Sequence, residues 1–314
     1  MPGAAPLWQI YLKLALAAVF WGGTFISGKL LATDLSPTVA AFLRFALASA
    51  VLLGLTWRYH GHLPRINRDD LLPLLFLGLS GVFAYNVFFF SGLRQIEASR
   101  AAIIIANNPV MIAIGAAIFY GENLSPKKIM GIILSVAGAI TVVVRGELSQ
   151  LFTGGVGWGE LMIFGCVLSW TTYSLVGRRA MRNFSPLVAV TYSAVAGAVL
   201  LLPLALLSGL GAQVAAGSLT TWGHIGYLAL FGTVLGFVWY YQGIVRIGST
   251  RAGQFINIVP LTAVCLSILL LGEPLTWSLL VGLLLVSAGL YLTNRPGCTA
   301  LPPAPEEPEA ADPL

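Results

Sequence analysis

The residue types that could do chemistry are scarce in this chain and stand in the wrong places for catalysis. The 314 residues include twelve Asp and Glu and three His. The acids are Asp34, Asp69, Asp70, Glu97, Glu122, Glu147, Glu160, Glu273, Glu306, Glu307, Glu309 and Asp312. All fall in loops, at the ends of apolar runs or in the C-terminal tail, as do His60, His62 and His224. Acid–base, nucleophilic or metal-assisted chemistry needs such groups to converge on one point. Ser and Cys occur inside apolar runs, but no His or carboxylate stands beside them. Cys166 and Cys265 lie in such runs and Cys298 in the tail. Their spacing suits neither a metal site nor a disulfide framework. The sequence predicts no enzyme, no cofactor and no metal.

Binding chemistry is better supplied. Pro109 and Pro260 interrupt apolar runs near their middles. A proline inside a helix removes the bond to the carbonyl four residues earlier, here Ile105 and Ile256, and bends the helix. Amides gather at both places: Asn107 and Asn108 before Pro109, Gln254 and Asn257 before Pro260. They either satisfy the freed carbonyls or bind a zwitterionic solute through donors and acceptors together; Asn108, next to the bend, is the stronger candidate. Rings recur at helical spacing elsewhere. Gly81, Tyr85, Phe88 and Gly92 share one face, and Gly232, Gly236, Trp239 and Gly243 repeat it. Trp170 stands mid-run with Tyr173 and Ser174 one turn on, and Trp21 is its counterpart. These rings either pack or form the walls of a pocket for a flat solute with one polar end. Lys29 and Arg178 end their spans and are expected either to snorkel to headgroups or to guide a carboxylate. Arg44, two turns into its span, is the deepest charge and a minor candidate for contact with a carboxylate.

The elements that must position these residues are membrane helices. The chain is 57% hydrophobic and 9% charged, with mean hydropathy +0.87. Soluble domains carry about 25% charged residues, so a water-soluble enzyme, a nucleic-acid binder and a disordered chain are excluded. The net charge of +5 is scattered over short loops, which gives no patch for nucleic acid. Runs of about 20 apolar residues mark ten spans, at about 10–32, 37–57, 71–93, 97–119, 126–145, 157–177, 186–208, 221–243, 248–271 and 276–294. Lys and Arg divide twelve against five between the two sides, which places both termini in the cytoplasm.

The two halves repeat. At an offset of 149, Trp21 matches Trp170, Lys29 matches Arg178 and Ser36-Pro37 matches Ser185-Pro186. At 151, Gly81 matches Gly232, Arg100-Ala101 matches Arg251-Ala252, Pro109 matches Pro260 and Gly121-Glu122 matches Gly272-Glu273. Five spans per copy is odd, so the second copy enters the membrane upside down. Such inverted repeats characterise secondary transporters, with the substrate near the midplane where the copies meet. The spans predict an all-α polytopic membrane protein of ten transmembrane helices, two inverted five-helix repeats around a central cavity. Its parts are an N-terminal cytoplasmic segment (1–9), a first repeat (10–145), a linker (146–156), a second repeat (157–294) and a disordered cytoplasmic tail (295–314). The fifth and tenth spans, with Gly131, Ser135 and Gly138 and with Gly282, Ser287 and Gly289, are expected to pack as a structural pair or a dimer contact. Monomer and homodimer are both left open.

Trp21-x-x-x-Phe25 and Trp170-x-x-x-Ser174, each followed by a basic residue and Ser-Pro, together with the Gly-Glu near each fourth-helix end, resemble the EamA type of the drug/metabolite transporter superfamily over about residues 10–294. Within it the chain looks like the bacterial aromatic amino acid exporters. The resemblance implies a bacterial inner membrane and a cavity lined by the first, third, fourth, sixth, eighth and ninth spans. Tyr85, Asn108 and Trp170 occupy cavity-lining positions by that analogy. Trp21, Phe25, Phe88, Asn107, Tyr173, Trp239, Gln254 and Asn257 complete the expected substrate-binding set. Small relatives couple to protons through an early-span glutamate, which this chain lacks. The expected activity is export of Phe, Tyr, Trp and similar flat solutes by alternating access, as a uniporter with lipid and solute as partners. Export of another amino acid, metabolite or aromatic drug is the alternative, and a channel or scaffold the reading from another class.

Overall fold

The structure, a computed structural model, describes residues 6–147, 156–180 and 184–293. Part of the expected N-terminal segment, most of the linker and the tail lie outside the described residues. Among the described residues nine helices are long and apolar enough to cross a membrane: α1 Leu7–Asp34, α2 Pro37–His60, α3 Arg68–Leu93, α4 Ala98–Tyr120, α5 Pro126–Val143, α6 Trp158–Gly177, α7 Pro186–Leu207, α8 Leu219–Ile247 and α9 Arg251–Leu271. Trp277–Thr293 is a shorter apolar helix, α10. A short helix, Leu210–Ala216, joins α7 to α8. Leucines such as Leu207, Leu269 and Leu270 stay exposed around the outside, as a lipid-facing surface allows.

Local signals set the helix ends. α2, α5 and α7 each begin with an extended Ser followed by Pro in the first turn, where the missing N–H has no helical partner to lose. α3 starts at Arg68, earlier than the apolar run, with Asp69 and Asp70 in its first turn, where they complement the helix dipole. α4 and α9 both stop on a left-handed glycine, Gly121 at φ 67° and Gly272 at φ 66°. That conformation explains why glycine precedes the acid in both Gly-Glu pairs.

The packing is pseudo-twofold. α1 lies against α8 and α9, and its counterpart α6 against α3 and α4. α2 pairs with its own counterpart α7, and α5 with α10. Glycines carry the α5–α10 contact. A Cβ on Gly131 would stand 2.7 Å from Gly289 O, and one on Gly138 would stand 2.8 Å from Gly282 O. Residues 131 and 282 are repeat mates, as are 138 and 289, so the contact is antiparallel and self-complementary. α2 and α7 run antiparallel too: Thr56 meets Thr191 at 2.8 Å, and Thr38 meets Ser208 at 2.9 Å. The second copy is therefore inverted. The small-residue faces of α5 and α10 are consumed within one chain.

Two irregularities were invisible in the sequence. α3 carries a π-helical stretch at Gly78–Ala84 and α8 one at Leu228–Leu235, at matching places in the repeats. Such wide turns leave carbonyls underused and concentrate at functional sites. α4 breaks in a turn at Ala106–Asn107, just ahead of Pro109, and α9 passes through a 3₁₀ turn, Phe255–Asn257, before Pro260.

Candidate substrate cavity

Where α2, α3, α6, α7 and α8 meet, a cavity of about 50 Å3 is lined by Arg44, Phe45, Gly81, Val82, Tyr85, Asn86, Trp170, Tyr173, Val190, Ser193, Ala194, Thr233 and Phe237. Eight of these are repeat mates of one another: Arg44 with Ser193, Phe45 with Ala194, Val82 with Thr233 and Asn86 with Phe237. The cavity thus straddles the pseudo-twofold axis. The remaining lining residues come without their mates, so the space leans toward α6. In three of the pairs one copy supplies a strongly polar group where the other supplies a small or apolar one. Duplication made the wall, and divergence made it chemically one-sided.

The aromatic side is a continuous cluster of rings. Tyr85 and Trp170 lie 5.6 Å apart, Trp170 and Tyr173 5.1 Å, and Trp170 and Phe237 6.2 Å between centroids. Gly81 makes room for Tyr173, whose Cδ2 would be 2.2 Å from a Cβ placed there. The two mid-span tryptophans differ. Trp21 Nε1 donates to Gly232 O at 3.0 Å, a π-turn carbonyl, whereas Trp170 lines the cavity.

The polar side centres on Arg44, which is 7% exposed. Its Nε and one terminal nitrogen donate to Thr233 Oγ1, each at 3.2 Å, and the other terminal nitrogen donates to Asn86 Oδ1 at 3.1 Å. Its guanidinium carbon lies 5.1 Å from the Phe45 ring centroid. The head reaches mid-depth, since Thr233 lies fourteen residues from each end of Leu219–Ile247. A charge there costs about 2.5–3.5 kcal/mol on insertion scales. Among the described residues no carboxylate pairs with Arg44; Arg100 by contrast pairs with Glu160 at 3.0 Å.

The sequence-predicted site residues divide. Tyr85, Trp170 and Tyr173 come together at the cavity. Phe25 packs on Phe89 in the core at 5.5 Å, Phe88 covers Gly165, and Trp239 tilts against Phe20 at 5.7 Å. Asn107 is spent on the helix break: its Nδ2 donates to Ile103 O at 3.1 Å, and its Oδ1 accepts from Ser135 Oγ at 2.8 Å. Asn108 lies off the cavity wall with its Oδ1 enclosed and unpaired, and nothing in the structure accounts for that atom. Gln254 is exposed, and Asn257, half-buried, already has a partner. Sequence reasoning missed Asn86, Thr233 and Phe237 and underrated Arg44. The repeat alignment held a signal for Arg44: its mate is Ser193, so the charge belongs to one copy alone.

The two faces of the seam are unequal. At the face opposite the termini, Glu273 accepts from Ala98 N (2.7 Å), Ser99 N (3.0 Å) and Ser99 Oγ (2.5 Å), capping α4 from the far repeat. Lys29 Nζ donates to Leu93 O and Ile96 O at 2.7 and 2.8 Å. The residues Ala98–Ile105 are all buried. The matching stretch of α9 is open instead, with Arg251 and Gln254 exposed. A larger groove of about 520 Å3 between α3 and α7, lined by Leu71, Leu72, Leu75, Val195 and Ala196 among others, is apolar and open to the bilayer side. It lacks the convergent polar groups of a solute site.

A family model described as the EamA-like transporter family matches residues 8–144 and 157–295, one copy on each half. The uncharacterized transporter YyaM of Bacillus subtilis is 32% identical over 91% of this chain and 93% of its own length. A probable amino-acid metabolite efflux pump of Salmonella typhimurium is 29% identical over 88% and 92%. A probable terminal-alkyne amino-acid exporter of Streptantibioticus cattleyicolor is 27% identical over 90% and 92%. One solved crystal structure shares the fold at TM-score 0.63 and 19% identity, covering 90% of this chain and 96% of that one. With both copies matched and the inverted packing in place, the chain is a multi-pass membrane transporter and belongs to the EamA-like transporter family.

Proposed function

We propose that this transporter exports amino acids with flat aromatic side chains, Phe, Tyr and Trp among them, by alternating access in a bacterial inner membrane, with both termini in the cytoplasm. The observation that carries the reading is the cavity on the pseudo-twofold axis, where Tyr85, Trp170, Tyr173 and Phe237 face the polar group of Arg44, Asn86 and Thr233. Rings offer an aromatic solute stacking worth about 0.5–1.5 kcal/mol per pair. The unequal seam supports alternating access: one face is sealed across the repeats while its mirror stands open. Relatives named as amino-acid exporters support the solute class. No acid lines the cavity among the described residues, which supports uniport over proton exchange. The positive-inside count sets the orientation, so the sealed face is external.

A second reading has its own observation. The cavity of about 50 Å3 holds a few water molecules and not an indole. It favours a smaller amino acid unless the ring stack parts when solute enters. Radiolabelled tryptophan counterflow in proteoliposomes, with Phe, Tyr, Ala, Val and Ser as competitors and with and without a pH gradient, separates the two. Saturable flux blocked by aromatic amino acids, lowered about tenfold by Trp170→Ala or Tyr85→Ala at unchanged folded yield, supports the aromatic reading. Block by the small amino acids alone supports the second. Flux unaltered in both variants removes the cavity from the transport path.

A further inference from the structure

We propose that Arg44 is the carboxylate anchor of the site, so that the transporter selects solutes by an anionic carboxylate as well as by a flat ring. The proposal rests on the cavity being the solute site. Its argument begins with the charge. Arg44 is buried at mid-depth, lines the cavity, and its hydrogen bonds go to neutral oxygens. A cation in a low-dielectric interior is stabilised by an anion, and none is built into the wall.

The neutral partners are themselves held in place. Thr233 Oγ1 donates to Leu228 O at 3.0 Å and Asn86 Nδ2 donates to Val82 O at 2.8 Å. Both carbonyls belong to the π-helical stretches, one in each repeat. With those protons committed, Thr233 and Asn86 can offer Arg44 only acceptor oxygens. The two wide turns therefore aim two oxygens at one guanidinium and fix it across the seam. A guanidinium has five N–H groups in a planar fork. Three are used here, which leaves two, one on each terminal nitrogen. A carboxylate entering the cavity can take these as a charge-assisted pair. Trp170 lines the same space. The anchor is not duplicated, since its mate is Ser193, so the solute binds in one orientation in both access states.

The test is equilibrium binding to the purified full-length protein in nanodiscs. The probes are tryptophan, tryptophanamide, tryptamine and indole-3-acetate, with phenylalanine, alanine and their amides beside them. The wild-type protein is expected to bind each acid about 100-fold more tightly than its amide, and to bind indole-3-acetate, which has no ammonium, while rejecting tryptamine. Arg44→Gln should bring acid and amide within about threefold of each other by weakening the acid alone, and Arg44→Lys should restore part of the difference. If Arg44 only struts the three helices, Arg44→Gln lowers acid and amide together and their ratio persists, which overturns the proposal. Equal wild-type affinity for acid and amide overturns it without any variant, should Arg44→Gln fail to fold. Binding of alanine but not tryptophan, with the acid preference intact and dependent on Arg44, refutes the aromatic reading and keeps the anchor.

Discussion

Glu273 reaches from the loop after α9 to the first turn of α4 in the other repeat, and Glu273→Gln tests whether that contact seals the face opposite the termini. The carboxylate accepts three hydrogen bonds from Ala98 N, Ser99 N and Ser99 Oγ. Glutamine presents one oxygen and turns its NH2 toward the remaining donors. It also removes the negative charge from a helix N-terminus, a term of about 0.3–1 kcal/mol. Hydrogen bonds to charged groups are each worth about 1.5–3 kcal/mol net, so the sealed arrangement should lose about 2–4 kcal/mol relative to an opened one. At 1.4 kcal/mol per tenfold, that is at least about a 30-fold shift in population. The assay is reaction of a membrane-impermeant maleimide with Ala102→Cys, one turn past the cap and 2% exposed. The background has Cys166, Cys265 and Cys298 replaced. Labelling from the external side should accelerate about 30-fold in Glu273→Gln. The mirror change, Glu122→Gln, should slow it, because Glu122 is the repeat mate of Glu273 and by that symmetry would cap the start of α9 in the opposite state. Rates equal within twofold in all three proteins would refute the gate.

Other outcomes follow from the same geometry. Gly289→Ala sets a Cβ 2.5 Å from Gly131 O and 2.6 Å from Ser135 N, both backbone atoms. Overpacking of this kind costs about 1–3 kcal/mol, so thermal unfolding in detergent should drop by several degrees while transport per folded molecule is unchanged. Asn107→Ala should lower folded yield, because it strands Ser135 Oγ and the Ile103 carbonyl at a helix break; an Asn107→Ala protein of normal stability and lost transport would place that amide in the solute path instead. Counterflow should be indifferent to an imposed pH gradient, and several-fold stimulation would require a titrating group that the cavity wall does not contain.

Much of the architecture was readable from residue order. The ten apolar runs, the Ser-Pro starts, the Gly-Glu ends and the offsets between halves gave span number, repeat and inversion. These are properties of one dimension: a helix must satisfy its own backbone in lipid, and an odd number of crossings must flip the next copy. The ring-bearing face of α3 was also legible, since residues three or four apart share a side. Tyr85 followed from that and Trp170 from its place mid-run as the mate of Trp21, and both reach the cavity.

The rotation of each helix about its own axis was not legible. Every side of these helices is apolar, so hydropathy does not say which side meets a neighbour. Phe25, Phe88 and Trp239 therefore looked equivalent to Tyr85 and Trp170, and only packing turned them away. The π stretches have no sequence signature, although they place Asn86 and Thr233. Asn107 looked like a ligand because sequence shows an amide near a proline but not the carbonyl it occupies. Arg44 sits two turns into its helix by count, and only the tertiary structure carries its long side chain to the middle of the membrane. Sequence alone determined that an inverted pair with an acid-poor interior would form, because local hydrogen bonding and crossing parity leave no other solution. Which groups face the seam, and that one of them is a cation with no anionic partner among the described residues, was decided by how the helices rotate and lean on one another in three dimensions.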